Sequence, residues 1–195
     1  EARRRLADPD LSWFAALSSV GQSQQFSDAS DSPFRASGRL AWRPFGMPED
    51  PNAPLLHLGG AVSYSFSGNG NVRFRARPES SLVKHLVDTG DLSGDATQVG
   101  LEAAWRAGPL TVQAEAYGSF VSADEAGSLF FSGGYVQAAW MLTEEVRPYD
   151  PDSALFGRIN PREPFSIERE SPGAFEIAGR IGWLDLTDQS VRGGR

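Results

Sequence analysis

The residues best suited to chemistry in this chain are arginines that recur at every second position. Arg35, Arg39 and Arg43 share one side of the run 34–44 with Ser37 and Ala41, against Phe34, Ala36, Gly38, Leu40 and Trp42 on the other. Arg73, Arg75 and Arg77 repeat the pattern opposite Val72, Phe74 and Ala76, and Arg106 and Arg180 take the polar side of two later runs. A guanidinium is a planar, permanently charged fork of donors that grips oxyanions better than an ammonium does. Rows of such groups along a water-filled wall are how anion pores select. Of the 18 basic residues only Lys84 is not arginine. Nucleotide-composition bias explains that ratio equally well, so placement rather than number has to carry the argument. Three like charges on one side of one strand repel each other. The polar sides of the strands offer only Glu102, Glu115 and Glu176 in return, so neighbouring strands or an anion must compensate.

Other chemistry is thinly represented. His57 and His85 stand apart, with no second ligand at metal spacing, and read as structural histidines. No GxSxG, HExxH or P-loop is present, and a barrel hydrolase would need a Ser–His–acid set built on one of those histidines. The acidic pairs Asp8/Asp10 and Asp150/Asp152 read as solvated loop charge. No enzyme activity and no cofactor is expected.

The elements that position the arginines are long alternating strands. Over 97–107 one side carries Thr97, Val99, Leu101, Ala103, Trp105 and Ala107, and the other Gln98, Gly100, Glu102, Ala104 and Arg106. After a Gly108-Pro109 turn the alternation resumes, with Leu110, Val112, Ala114, Ala116 and Phe120 against Thr111, Gln113, Glu115, Tyr117 and Ser119. Period two is the mark of a strand with two unlike faces, and runs of about eleven residues are roughly twice the usual soluble strand. Similar patterns predict strands at 11–20, 34–44, 55–67, 72–77, 129–140 and 174–186. The Gly68-Asn69-Gly70-Asn71 stretch predicts a hairpin into the run 72–77. Residues 1–10 read as a turn or frayed start, 21–33, 45–54 and 78–96 as loops, with an apolar patch at 82–87. Residues 143–173, with five prolines, read as irregular apart from a short strand near 155–159. Eight long strands in an antiparallel meander result, an all-β fold. One feature sits awkwardly: strand parity puts the long 143–173 segment on the same end as the tight turns.

Composition bounds the class. A chain of 195 residues makes one sizeable domain, and no apolar run is long enough for a transmembrane helix. A β-barrel remains open, because alternation dilutes its hydrophobic signal. The absence of cysteine rules out a disulfide framework. A net charge of −7 argues against nucleic acid as a partner. The chain begins at Glu1 with no apolar leader, which for a pore points to a mature form or a piece of a longer chain. Barrel and soluble β-sandwich share alternation. Strand length, aromatics near strand ends (Trp42, Phe45, Phe120, Trp140, Trp183) and small apolar residues such as Ala103, Ala114, Ala116 and Ala138 favour the barrel. The alternative is a soluble β-sandwich ligand-binding domain.

Several blocks then carry a resemblance: YVQAAWMLTEEVRPYD at 135–150, FGRINPREPF at 156–165 and GAFEIAGRIGWLDLTD at 173–188, with RLAWRPF, LLHLGGAVSY, FRARPES, LVDTG and GLEAAWRAGPLTVQAEAY before them. In this order they resemble the phosphate-selective porin O/P family of Gram-negative outer membranes, over residues 34–194. The resemblance implies a sixteen-stranded transmembrane β-barrel set in outer-membrane lipid, trimeric, passing phosphate, polyphosphate or other small anions by diffusion. Against that pattern the chain is an incomplete section, one partial barrel domain over 1–195 without the N-terminal half and its constriction loop and without the final strands. The arginines expected to line the pore and bind anions are Arg35, Arg39, Arg43, Arg73, Arg75, Arg77, Arg106 and Arg180.

Overall fold

The computed structural model describes residues 2–5, 10–19, 26–27, 34–67, 71–77 and 82–195. Alternation over long runs produces one large antiparallel sheet, and the described residues contain no helix. Its path follows chain order through β1 (Ala2–Arg5), β2 (Leu11–Ser19), β3 (Phe34–Trp42), β4 (Leu55–Phe66), β5 (Leu92–Ala107), β6 (Leu110–Ala123), β7 (Gly127–Met141) and β8 (Glu176–Asp185). The predicted meander of eight strands is therefore present, with one member exchanged. The start of the chain contributes a strand, Ala2 facing Ala15 and Arg5 facing Ser12. The run 72–77 does not.

Instead of returning along the sheet, that run breaks into Asn71–Val72, which pairs with Ser93 and Leu92, and Arg75–Ala76, which pairs with Val87–Asp88. Its alternation is genuine, but its apolar side feeds a local core rather than the sheet. Val72 is fully buried there with Val87, Leu92, Ala96, Val121, Leu129, Phe131, Leu186 and Val191, and Phe74 and Ala76 pack against them. The Gly68–Gly70 part of the predicted hairpin lies outside the described residues, as do residues 78–81 and most of 20–33. In the apolar patch at 82–87 only Val87 is buried; Leu82 is 96% exposed.

Connections alternate between two ends of the sheet. Residues 43–54, the turn at 108–109 and residues 142–175 lie at one end, here the Pro109 end. Gly108 takes φ +52°, a left-handed conformation that suits glycine. The other end, the Asp124 end, holds residues 71–77, 82–91 and the short turn 124–126. The parity difficulty thus dissolves only in part: residues 142–175 do share an end with the tightest turn. Within them residues 147–156 fold back over one face of the sheet, where Tyr149–Asp150 and Leu155–Phe156 make the short ladder expected near 155.

The register assigns every side chain to one of two faces. On one lie Leu40, Val62, Val99, Leu101, Val136, Ile177 and Ile181, which are largely exposed, Ile181 by 80%. Aromatic residues bound this apolar face in two rows. Trp42, Trp105 and Trp140 lie towards the Pro109 end, and Phe34, Tyr64, Phe66, Phe120 and Phe130 towards the Asp124 end, the last two with ring centroids 4.8 Å apart. Trp183 stands between the rows, its indole over Gly134. The tryptophan row does not run straight along the hydrogen bonds. Trp42 is level with Leu58 and hence with Ala103, two residues short of Trp105 on β5. Trp105 is level with Val112 and hence with Ala138, two residues short of Trp140 on β7. The row therefore steps one residue per strand, about 3.3 Å along for about 4.8 Å across, an inclination of about 35°.

Candidate functional site

The opposite face is polar through its middle and is covered at both ends. Across it, row by row, lie Ser18, Arg35 and Ser65; then Arg39 beside Ala61; then Ser12, Ala41, Gly59, Glu102, Glu115 and Tyr135; then His57, Ala104, Gln113, Gln137 and Arg180; and last Leu55, Arg106, Thr111 and Ala139. At the Asp124 end the rows turn apolar, with Ala96, Val121 and Leu129. Residues 71–77, 82–91 and 186–194 close over them, tied together by the Asp88 amide donating to the Gly193 carbonyl at 2.7 Å.

At the Pro109 end residues 147–156 lie against the wall, and wall side chains hold their backbone. Arg39 donates to the carbonyls of Ser153 at 3.2 Å and Ala154 at 3.0 Å, and through Nε to Glu102 Oε1 at 2.8 Å. Ser12 donates to the Pro151 carbonyl at 3.0 Å, and Arg43, wholly buried, reaches the same oxygen at 3.5 Å with its guanidinium 5.8 Å from the Tyr149 ring centre. Arg106, 3% exposed, donates to the Arg147 carbonyl at 3.0 Å. His57 joins the two sides: Nδ1 lies 2.7 Å from the Tyr149 hydroxyl and Nε2 3.1 Å from Glu102 Oε1. Arg147 in turn pairs with Glu176. Tyr149 and Ala154 bury with Ala41 and Leu55 in a small apolar core beneath the segment. A cleft of about 220 Å³ remains between segment and wall, lined by Arg39, His57, Glu102, Gln113, Glu115 and Phe156.

The sequence-predicted arginines divide. Arg35, Arg39, Arg43, Arg106 and Arg180 are on the polar side, as parity requires. Arg35 donates to Ser65 Oγ at 2.9 Å, and the guanidinium carbon of Arg180 stacks 3.7 Å from the Tyr135 ring centre while the Tyr135 hydroxyl donates to Glu115 at 2.7 Å. Arg73, Arg75 and Arg77 are not on any wall strand, because the run that carries them folds at the Asp124 end. Arg73 grips Asp88 at 2.6 Å with Asp91 at 3.6 Å. That hydrogen bond holds the Asp88 carboxyl down at about 2. Arg75 and Arg77 are exposed beside it. The repulsion within the first triplet is answered for Arg39 by Glu102, and for Arg39 and Arg43 by backbone carbonyls.

Sequence reasoning missed the partners. Tyr149 and the carbonyls of 147–154 give no residue-type signal, although an irregular stretch this long between two long strands is itself a functional flag. Both ring nitrogens of His57 are engaged by Glu102 and Tyr149, so no serine completes a hydrolytic set on it.

An open antiparallel meander with one apolar face bounded by aromatic rows, and one polar face partly covered by an inserted segment, defines the wall of a membrane β-barrel. The chain belongs to the phosphate-selective porin O and P family, whose model matches residues 12–195. It is 27% identical to Porin O of Pseudomonas aeruginosa over 188 residues, covering 84% of this chain and 41% of that protein. It is 29% identical to an uncharacterized protein of Caulobacter vibrioides over 145 residues, covering 72% of this chain and 29% of that protein. The chain therefore spans less than half the length of these relatives.

Proposed function

We propose that these strands are part of the wall of a Gram-negative outer-membrane porin through which small anions, phosphate or polyphosphate, diffuse passively. In this reading further strands of the same protein close a sixteen-stranded barrel, and three such barrels associate. The family supplies the class. The observation that carries the reading is the division of one sheet into a lipid-suited face and a guanidinium-bearing face.

The dimensions fit. Along β5 the aromatic rows are eight residues apart, from Trp105 to Thr97, which is level with Tyr64 and Phe120. Eight residues span about 26 Å, or about 22 Å of height at the inclination derived above, close to the roughly 25 Å apolar band of such barrels. Free sheet edges do not persist in lipid, which is why β1 and β8 need further strands beside them. On the inner face the rows of Arg35 and Arg180 lie on either side of the row of Glu102 and Glu115, so an anion meets guanidinium on either side of a carboxylate row and no single site deep enough to trap it. A soluble β-sandwich is disfavoured, since among the described residues nothing covers the apolar face. The test is the full-length protein in planar bilayers under a salt gradient. A reversal potential of anion-preferring sign is expected, and a cation-preferring one overturns the reading.

A further inference from the structure

Three wall arginines direct donors at main-chain carbonyls of one segment: Arg39 at Ser153 and Ala154, Arg43 at Pro151, and Arg106 at Arg147. Ser12 and His57 reach the same segment at Pro151 and Tyr149. A carbonyl held by a charged donor is a stronger restraint than a neutral pair, and Arg39 uses its fork for two carbonyls while Nε is locked on Glu102. Glu102 is in turn held by His57, so wall and segment share one network.

We propose that Arg39 is a positioning residue. Together with Arg43, Arg106 and His57 it latches residues 147–156 across the inner wall, so that it sets the bore of the channel rather than the affinity of the anion. This rests on the inner-face reading above, and it separates the wall arginines into two groups. Arg39, Arg43 and Arg106 hold the segment, whereas Arg180 stacks on Tyr135 three strands from Arg106. Releasing the latch widens the free cross-section by about the thickness of one extended chain, roughly 5 Å.

Arg39→Lys separates the two roles. Lysine keeps the positive charge but has no planar fork, so it cannot hold Glu102, Ser153 and Ala154 together. In planar bilayers the full-length Arg39→Lys protein should show about twofold higher single-channel conductance, admit larger polyethylene glycols, and keep the anion preference of the parent. Tyr149→Phe and Ser12→Ala each remove one pin with little loss of packing and should enlarge the bore by less. They guard against an Arg39 variant that fails to insert. If Arg39→Lys and both milder variants leave the polymer cut-off unchanged, the latch is refuted. It is also refuted if Arg39→Gln abolishes anion preference at an unaltered cut-off. A parent channel that prefers cations would sink the anion reading alone, because the polymer cut-off still reports the latch.

Discussion

Gly59 and Glu102 stand opposite each other on β4 and β5, and a methyl group at residue 59 would fall in the space that the Glu102 carboxylate crosses to reach His57 and Arg39. Gly59 is thus a condition of the network rather than a loose point in the strand. Gly59→Ala should cost about 1–2 kcal/mol of stability, through displacement of a half-buried hydrogen-bonded carboxylate. In a Glu102→Ala background the same change should cost almost nothing, since the crowding atom is gone. Denaturant unfolding of the four proteins of this cycle in detergent reads the coupling, and full additivity would show that the two residues do not meet. The faces of Arg35, Arg39, Arg43, Arg106 and Arg180 were legible from parity alone. Their partners were not: Glu102 is 63 residues from Arg39 and the Ala154 carbonyl 115 residues away, and no local pattern encodes a backbone acceptor.

At the scale of elements, the run 72–77 shows where period-two reading fails. Val72, Phe74 and Ala76 alternate with three arginines as well as any wall strand does, yet six residues reach only about 20 Å, and Pro78 follows. The wall strands flanking it run 12 and 16 residues. Length was the available signal, and tertiary packing of Val72 and Phe74 decided the outcome. What fixes this run is its ladder with Val87–Asp88 and the Arg73–Asp88 pair. Asp88→Asn should speed tryptic cleavage after the exposed Arg75 at neutral pH, with the wall strands left resistant. The pH dependence has a definite sign. The folded carboxyl sits near 2, below its ordinary 3.8, so its contribution is complete above about pH 4 and is lost as pH falls towards 2. Hydrogen exchange over 71–91, corrected for intrinsic rate, should stay slow at pH 4 and quicken only below pH 3. Equal protection at pH 2 in parent and Asp88→Asn would remove the carboxylate from the account.

The molecule as a whole is a sheet that turns most of its large apolar side chains outward, which in water would be a liability and in lipid is the requirement. The two faces therefore make opposite demands on a new charge, and β5 offers neighbouring places to measure them. Leu101, 70% exposed, lies midway between the row of Trp105 and the row of Tyr64, the level that the proposed pore would set at the middle of the hydrocarbon. Gln98 is three residues away on the polar face, and Trp105 belongs to the tryptophan row. Leu101→Arg should cost about 2–4 kcal/mol in lipid vesicles, Trp105→Arg about 1 kcal/mol beyond the loss of its ring, and Gln98→Arg close to nothing. Reversible unfolding of the full-length protein from vesicles gives all three. The ordering is what matters, because a soluble sheet with a covering partner would penalise Leu101→Arg and Trp105→Arg alike, without regard to depth. A cost at Leu101 no larger than at Gln98 would mean that this face does not meet lipid, and the reading of the arginine face as the inner wall of a pore would fall with it.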